Sequence, residues 1–195
     1  ITSGDLEGWI TRAQEANPVE GASSIMALDH EVSRVLPDGS VKRLVTVVIR
    51  AVDRRGRDEL GSFSLPQEGH VKILEAYVVD PEGEKREVTS IRKGKLTFPE
   101  VHEDSIIVLQ YRHTHGPAVY LKHHYVNSWR LQQTYSQVLH SEWVLLIPKE
   151  RQLKVDIQGD VKHETLVDGD QTVHRFLATN VSPLLPEESA PLFLQ

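Results

Sequence analysis

Cysteine is absent from the 195 residues of this chain. The sequence therefore holds no disulfide and no cysteine-ligated metal site. A thiol nucleophile has to be a cysteine, so the chain cannot itself perform papain-type or transglutaminase-type chemistry. The sequence also lacks a nucleophile elbow of the G-x-S-x-G type and a marked pair of acid–base carboxylates. From these absences we predict that the chain is not an enzyme.

Long apolar runs and concentrated positive charge are missing as well. No stretch approaches the ~18 to 20 apolar residues that cross a bilayer, which predicts no membrane insertion. The chain has 22 Lys and Arg against 28 Asp and Glu, and its basic residues are dispersed. Nucleic-acid readers usually carry a basic patch, so we predict no nucleic-acid partner. The start, Ile1-Thr2-Ser3-Gly4, is neither a signal peptide nor a natural initiator, which predicts a fragment or a processed form.

One helix is predicted near the start of the chain, within residues 5–16. Its apolar side chains recur at i, i+3, i+4 and i+7 and form one stripe: Leu6, Trp9, Ile10 and Ala13. We expect Thr2 or Ser3 to cap this helix and Pro18 to close the region. Two interpretations stay open. The helix packs on the main domain, or it is the end of an upstream helical domain.

Most of the remaining chain has the pattern of strands. Pro37-Asp38-Gly39-Ser40 separates two extended runs, residues 25–36 and 41–52, and predicts a hairpin. Residues 133–147 predict a long strand, and the alternating apolar residues of 153–157 predict another. Residues 53–56 have the composition of a turn. Short strands with glycine-rich turns and no intervening helices predict an all-β fold, an antiparallel β-sandwich of immunoglobulin-like architecture with a short N-terminal helix.

Three segments follow from this pattern. Residues 1–21 form an N-terminal helical segment, residues 22–181 the β-sandwich domain, and residues 182–195 a C-terminal linker towards a following domain. The linker is rich in proline but also apolar. We expect Leu184 and Leu185 to pack back onto the sandwich and residues 192–194 to begin a contact with the next domain. The alternative is that the last residues are a disordered end.

Five segments in order resemble one known family. They are the hairpin of residues 30–43 with its Asp38-Gly39 turn, the passage 71–84 ending in Asp80-Pro81-Glu82-Gly83, residues 98–111 beginning Phe98-Pro99, residues 143–153 around Pro148, and residues 180–188. Together they cover about residues 22–191 and resemble domain of unknown function 3857, the β-rich domain found N-terminal to transglutaminase-like domains in bacterial proteins. One departure is Asp104-Ser105, which stands where the family usually has Gly-Asp.

The resemblance implies a β-sandwich in a multidomain bacterial protein that is exported to the periplasm or cell envelope. It implies an adjacent transglutaminase-like domain, or another protein, as the partner. It implies no catalytic residues, because none are established for the family.

Ten histidines make a metal site worth testing. His113 and His115 alternate on one strand, and His123 and His124 follow the Gly116-Pro117 turn. A hairpin could bring two or three of these imidazoles together, as zinc requires. However, the adjacent His123 and His124 point to opposite faces of a strand. We therefore predict no stoichiometric transition metal and no cofactor.

Two further patterns suggest binding. Glu100, Glu103 and Asp104 could hold calcium weakly, although their loop lacks EF-hand spacing. The segment 120–135 combines aromatic and basic residues, which are enriched at binding surfaces. Its candidate binding residues are Tyr120, Lys122, Tyr125, Trp129, Arg130 and Tyr135. The alternative is that the aromatic rings serve the core.

These observations predict a non-catalytic accessory module that docks on or positions a neighbouring enzyme domain. The alternative is an independent carbohydrate- or protein-binding sandwich that uses residues 120–135.

Overall fold

The computed structural model describes residues 5–88, 91–92, 94–117 and 125–186. This part of the chain contains two helices, α1 (Leu6–Glu15) and α2 (Arg54–Leu60). Its strands are β1 (Ser24–Val35), β2 (Val41–Ala51), β3 (Ser62–Ser64), β4 (His70–Val79), β5 (Lys85–Glu87), β6 (Ile91–Arg92), β7 (Lys95–Thr97), β8 (Ile106–His115), β9 (Ser136–Pro148), β10 (Lys162–Asp168) and β11 (Gln171–Val181).

The strands form one large sheet and one small sheet. The large sheet has eight strands in the order β10-β11-β9-β1-β2-β8-β4-β5, and the small sheet has three in the order β3-β7-β6. The predicted β-rich fold is therefore confirmed. The expectation of an all-antiparallel fold is wrong at the centre of the large sheet, where β1 and β9 run parallel. Sequence alternation does not reveal this, because it is the same in parallel and antiparallel strands.

The β1–β2 hairpin was predicted and is present. Its strands pair antiparallel from Val35–Val41 to Ser24–Ala51. Gly39 takes a φ of +86°, which glycine adopts without strain. The Asp38 carboxylate accepts hydrogen bonds from the backbone N–H of Ser40 at 2.9 Å and from its hydroxyl at 2.7 Å. Local chemistry alone therefore specifies this turn.

Helix α1 packs on one face of the large sheet. It buries Trp9, Ile10 and Ala13 against a cluster that includes Leu28 and Val48 of β1 and β2. The helix lies within the predicted range, but the predicted cap is wrong. Asp5 is the N-cap, and its side chain accepts a hydrogen bond from the backbone N–H of Gly8 at 2.9 Å. Thr2 and Ser3 lie outside the described residues.

The small sheet covers part of the opposite face. Leu96 of β7 and Phe98 belong to a core cluster with Val47 and Leu109 of the large sheet, and Leu60 of α2 packs against it. A second cluster on this face joins Trp143, Leu145 and Phe176, with Tyr125 and Trp129 packed against it. The described residues thus form layers on both faces of the eight-stranded sheet.

Two local predictions are wrong. Residues 53–56 open helix α2, with Asp53 as its N-cap. A Cβ on Gly56 would lie 1.9 Å from the carbonyl oxygen of Ser23, so this glycine permits a close backbone approach within a helix. Residues 153–157 do not form a strand. Val155 and Ile157 are 41% and 39% exposed there, so their alternation reflects no buried sheet face.

The end of the described chain is hydrogen-bonded to the body of the domain. The backbone N–H of Leu184 donates to the Gln133 carbonyl at 2.9 Å, and the Leu184 carbonyl accepts from the Tyr135 N–H at 3.1 Å. The side chains of Leu184 and Leu185 remain 51% and 47% exposed. Residues 192–194 lie outside the described residues.

A buried arginine fixes the end of α1 to the sheet. Arg50 of β2 is 7% exposed, and its guanidinium donates hydrogen bonds to the carbonyls of Gln14 and Ala16, both at 2.8 Å. The last carbonyls of a helix have no hydrogen-bond partner within the helix. A guanidinium at that end donates hydrogen bonds to them, and its positive charge interacts favourably with the negative end of the helix dipole.

We expect Arg50→Met to lower the free energy of unfolding by about 2 to 3 kcal/mol, because two carbonyls lose charge-assisted hydrogen bonds. Urea unfolding at pH 7 measures the loss. Arg54→Met is the matched control, since Arg54 is 83% exposed and only reaches Asp58 at 3.8 Å. Equal stability of the two variants would contradict the role of Arg50.

Candidate functional site

A buried carboxylate, Glu142 of β9, organises the polar groups on the face that α1 covers. His140 Nε2 donates to Glu142 Oε2 at 3.1 Å, and Arg175 Nε donates to Oε1 at 2.5 Å. His30 Nε2 lies 4.0 Å from Oε2. The sheet order produces this arrangement, because β9 lies between β1, which carries His30, and β11, which carries Arg175.

The surroundings of this network favour an ionised Glu142 and a neutral His30. The hydrogen bond from His140, followed by the hydrogen bond and charge of Arg175, lowers the pKa of Glu142 to about 2. Glu142 is therefore ionised at all ordinary pH values. Burial lowers the pKa of His30, which is fully buried. Neither ring nitrogen of His30 has a hydrogen-bond partner among the described residues. The network thus holds a charged carboxylate beside a neutral imidazole.

An open groove of about 450 Å³ lies beside this network, between α1 and strands β9 and β11. Its lining includes Trp9, Arg12, Glu15, His140, Thr179 and Asn180. The Arg12 guanidinium lies 4.5 Å from the Trp9 ring centre, and that ring lies 5.1 Å from His140. The volume falls within the ~300 to 1,000 Å³ of ligand sites. Guanidinium, imidazole, carboxylate and amide groups suit this groove to polar or charged groups.

A second polar chain lies on the opposite face of β1 and β9. Trp129 Nε1 donates to Ser141 Oγ at 3.0 Å, and Ser141 Oγ donates to Asp29 Oδ2 at 3.3 Å. Asp29 is 8% exposed. Burial, together with the nearby negative charge of Glu31, raises the pKa of Asp29 to about 7. This carboxyl group therefore changes its charge near neutral pH.

The predicted binding segment does not form one continuous surface in the described residues. Tyr125 and Trp129 pack against the core cluster, and the Trp129 ring stacks on Trp143 at 6.3 Å. Arg130 is exposed. Tyr135 lies elsewhere, beneath the Arg55 guanidinium at 3.8 Å. Tyr120 and Lys122 lie outside the described residues.

The candidate metal ligands have other partners. His113 Nε2 is hydrogen-bonded to the Glu68 carbonyl at 2.8 Å, and its ring contacts His115. Glu100 pairs with Arg86, and Asp104 lies 3.7 Å from Arg50. His123 and His124 lie outside the described residues. Within the described ranges, no three His, Asp or Glu side chains converge as metal ligands.

Sequence reasoning missed Glu142, His30 and Asp29. A signal was present, because charged residues are almost never buried unless they are paired. Glu142 stands in the apolar run of β9, and Asp29 and Glu31 stand within the long strand β1. Their partners lie on strands that are distant in sequence, so the sequence alone does not identify those partners.

This chain is similar to parts of two longer proteins of known structure. The fold matches a crystal structure described as "a putative protease from Parabacteroides distasonis", with 13% identity and a TM-score of 0.73 over 87% of this chain. An M1 zinc metallopeptidase from Deinococcus radiodurans is matched with 11% identity and a TM-score of 0.41 over 80% of this chain. This chain spans 38% of each of those two chains. Likeness at this identity concerns the fold alone.

Membrane-spanning helices are not found in the described part of the chain, where neither helix has the required length and apolarity. No curated protein matches the sequence. Residues 37–184, well over half of the chain, match the family described as "Domain of Unknown Function with solved-structure structure (DUF3857)". The chain therefore belongs to the DUF3857 family, a β-rich domain of unknown function.

Proposed function

We propose that the chain is a non-catalytic accessory domain that docks on and positions a neighbouring enzyme domain of a longer polypeptide. One observation carries the proposal. The fold matches only 38% of a longer solved chain at a TM-score of 0.73, which is the proportion expected of one domain among several. The sequence resemblance supports a transglutaminase-like domain as the neighbour.

An exposed apolar patch supports docking. Val19, Leu184 and Leu185 are 41%, 51% and 47% exposed, and we call them the terminal patch. They lie close together, because the Leu185 side chain approaches Gly21, two residues from Val19. The hydrogen bonds between Leu184 and residues 133–135 hold the patch on the body of the domain. Clustered apolar side chains in water commonly mark an interface.

The remaining expectations belong to the same proposal. The two packed sheets support a sandwich, and the immunoglobulin-like arrangement stays a prediction. Export to the periplasm or cell envelope follows from the resemblance only. The alternative of independent carbohydrate or protein binding by residues 120–135 is less favoured, because the Trp129 ring packs against Trp143 and the core cluster.

Docking is tested in a polypeptide that contains this domain and the domain that follows it in the parent protein. We expect ¹⁵N relaxation to give both domains one rotational correlation time. The double substitution Leu184→Asp and Leu185→Asp should separate the two values. Leu166→Asp is the matched control, since Leu166 is 66% exposed but pairs with Val173, at the end of β11 opposite to the one that leads into Leu184.

Two outcomes would refute the proposal. Independent tumbling of the two unmodified domains would rule out docking. Turnover of a peptide or ester by the purified chain, retained through repurification and lost on one substitution, would rule out the non-catalytic role.

A further inference from the structure

Strand β10 leaves one edge of the eight-stranded sheet open. It is the outermost strand, and among the described residues it pairs only with β11. All seven of its residues are exposed, and Leu166 and Val167, which point to opposite faces, are 66% and 64% exposed. An edge strand presents backbone N–H and C=O groups that a further strand can use. Strand β10 therefore offers a pairing site for another strand.

The opposite edge of the same sheet is protected in the way that edge strands usually are. Strand β5 has only three residues, Lys85, Arg86 and Glu87, and each carries a charge. Short length and charge both discourage pairing with another chain. Strand β10 has seven residues, contains no proline and keeps an unbroken register with β11. Its edge thus lacks the short length, proline and bulge that commonly prevent pairing.

The hairpin turn determines which backbone groups of β10 face outward. A two-residue turn with Gly169 at a φ of +61° joins β10 to β11, and Asp168 pairs with Gln171 across it. The residues that close such a turn direct their backbone groups towards each other. These directions alternate along an antiparallel strand. The N–H and C=O groups that point to the open edge therefore belong to His163, Thr165 and Val167.

A second copy of the chain fits this edge in one register. In an antiparallel pair with two-fold symmetry, residue i faces residue j while residue j faces residue i. A pair centred on Thr165 places outward backbone groups opposite outward backbone groups and uses all seven residues of β10. It also places Lys162 opposite Asp168 at both ends of the pair. Opposite charges that face each other across two strands stabilise the pair, as does a facing pair of threonines.

The neighbouring symmetric registers bring like charges together. A pair centred on Glu164 places the two Glu164 side chains opposite each other, and a pair centred on Leu166 places Glu164 opposite Asp168 twice. Like charges that face each other directly destabilise a strand pair. In the register centred on Thr165, Glu164 faces Leu166 and keeps its partner Arg175 of β11, at 3.5 Å. Charge therefore selects the register that uses the whole strand.

We propose that the chain forms a weak homodimer in which two β10 strands pair antiparallel about Thr165 and join the two large sheets into one. The His163 ring stacks on Phe176 of β11, with centres 4.3 Å apart and planes 8° apart. It also shares a hydrogen bond with His174, with the two nitrogens 3.2 Å apart. These contacts hold the hairpin in place before a second copy binds, which lowers the entropic cost of association.

The dimer is independent of the proposed docking, because β10 contains no residue of the terminal patch. The two failures are distinguishable in a polypeptide with the following domain. Loss of the dimer changes the tumbling of both domains together, whereas loss of docking separates their correlation times.

Sedimentation equilibrium tests the proposal. Two strands of seven residues offer less contact than the ~1,200 Å² of a stable complex, so we expect a dissociation constant on the order of 100 µM. The average mass should rise from that of one chain towards that of two as the concentration passes through this range. A chain that stays monomeric well above it would overturn the proposal.

Charge reversal tests the register. Lys162→Glu and Asp168→Lys should each weaken the dimer on the order of tenfold, because each turns two opposite-charge pairs into like-charge pairs. Lys72→Glu is the matched control, since it makes the same charge change at an exposed residue of β4, which lies between β8 and β5. It should dimerise as the unmodified chain does. Equal weakening by Lys72→Glu would overturn the assignment to β10.

A mixture of the two charge variants gives a sharper test. In the mixed dimer the introduced glutamate faces the introduced lysine, and the unmodified Lys162 faces the unmodified Asp168. Both facing pairs are then opposite in charge, so an equimolar mixture should dimerise about as tightly as the unmodified chain. A mixture no tighter than the separate variants would overturn the proposed pairing.

Amide hydrogen exchange identifies the pairing strand directly. A higher concentration of the unmodified chain should slow exchange at His163, Thr165 and Val167, whose N–H groups face the open edge. Glu164 and Leu166, whose N–H groups face β11, should change less. Dimerisation without this pattern would overturn the proposal. Protection of the same amides at every concentration in a polypeptide with the following domain would also overturn it, since β10 would then pair within one chain.

Discussion

Glu142→Gln is expected to lower the free energy of unfolding by about 3 kcal/mol at pH 7 and by much less near pH 2. The folded pKa of Glu142 lies near 2, whereas its ordinary value is 4.5. A carboxyl group with a lowered folded pKa stabilises the folded state above its unfolded pKa, and each pKa unit corresponds to ~1.4 kcal/mol. This contribution is lost as the pH falls from about 4.5 towards 2.

Breaking the network adds to the loss. Glutamine retains the shape of Glu142 but leaves Arg175 without its buried counter-charge, and removal of one partner of a buried pair is costly. Urea unfolding at pH 7 and near pH 2 measures the effect. Glu164→Gln is the control, because Glu164 is 69% exposed and contacts the same Arg175 at 3.5 Å. Such an exposed pair contributes at most about 1 kcal/mol. Equal losses in both variants would contradict a special role for Glu142.

Asp29→Asn is expected to stabilise the protein, by about 4 kcal/mol at pH 8, since each pKa unit corresponds to ~1.4 kcal/mol. Burial raises the folded pKa of Asp29 from 3.8 to about 7. The unfolded state loses this proton near pH 4, but the folded state holds it until about pH 7. Stability therefore falls as the pH rises through this window, and the full cost is present above pH 7.

Asparagine removes the ionisation while its side-chain oxygen can still accept the Ser141 hydrogen bond. Below about pH 4 the two proteins should differ little, since the aspartate is protonated in both states. Thermal unfolding at pH 4 and pH 8 measures the difference. Asp168→Asn, on the exposed strand β10, should change little at either pH. If Asp29→Asn is less stable than the unmodified protein at pH 8, other interactions of the ionised Asp29 carboxylate offset the cost of its burial, and the prediction is wrong.

The parts of the fold that the sequence predicted are those with local causes. The hairpin at Gly39 and the helix at Leu6–Glu15 each follow from residues within a few positions of one another. Helix α2 was missed because Gly56 has the local signature of a turn. Its reason, a close approach to the Ser23 carbonyl, lies in tertiary contact. The parallel pairing of β1 and β9 could not be predicted either, because it also depends on tertiary contact.

The candidate site was less predictable than the fold. The run of β9 contains Glu142, and a buried charge in such a run indicates a partner without naming it. The partners come from β1 and β11, and their positions depend on the sheet order. The aromatic residues of segment 120–135 were easier to notice, but composition alone does not separate rings that pack inwards from rings that face solvent.

The parallel pairing of β1 with β9 also has a consequence during synthesis. Ser141 and Asp29, which face each other across this pair, are 112 positions apart. Strand β1 can pair with β2 as soon as both have been synthesised. The other edge of β1 stays unpaired until β9 has been synthesised. An open edge invites pairing with other nascent chains, and charged side chains discourage it. Strand β1 carries two such charges, Asp29 and Glu31, at positions that the finished domain buries, and we expect them to disfavour pairing of the incomplete sheet with other chains.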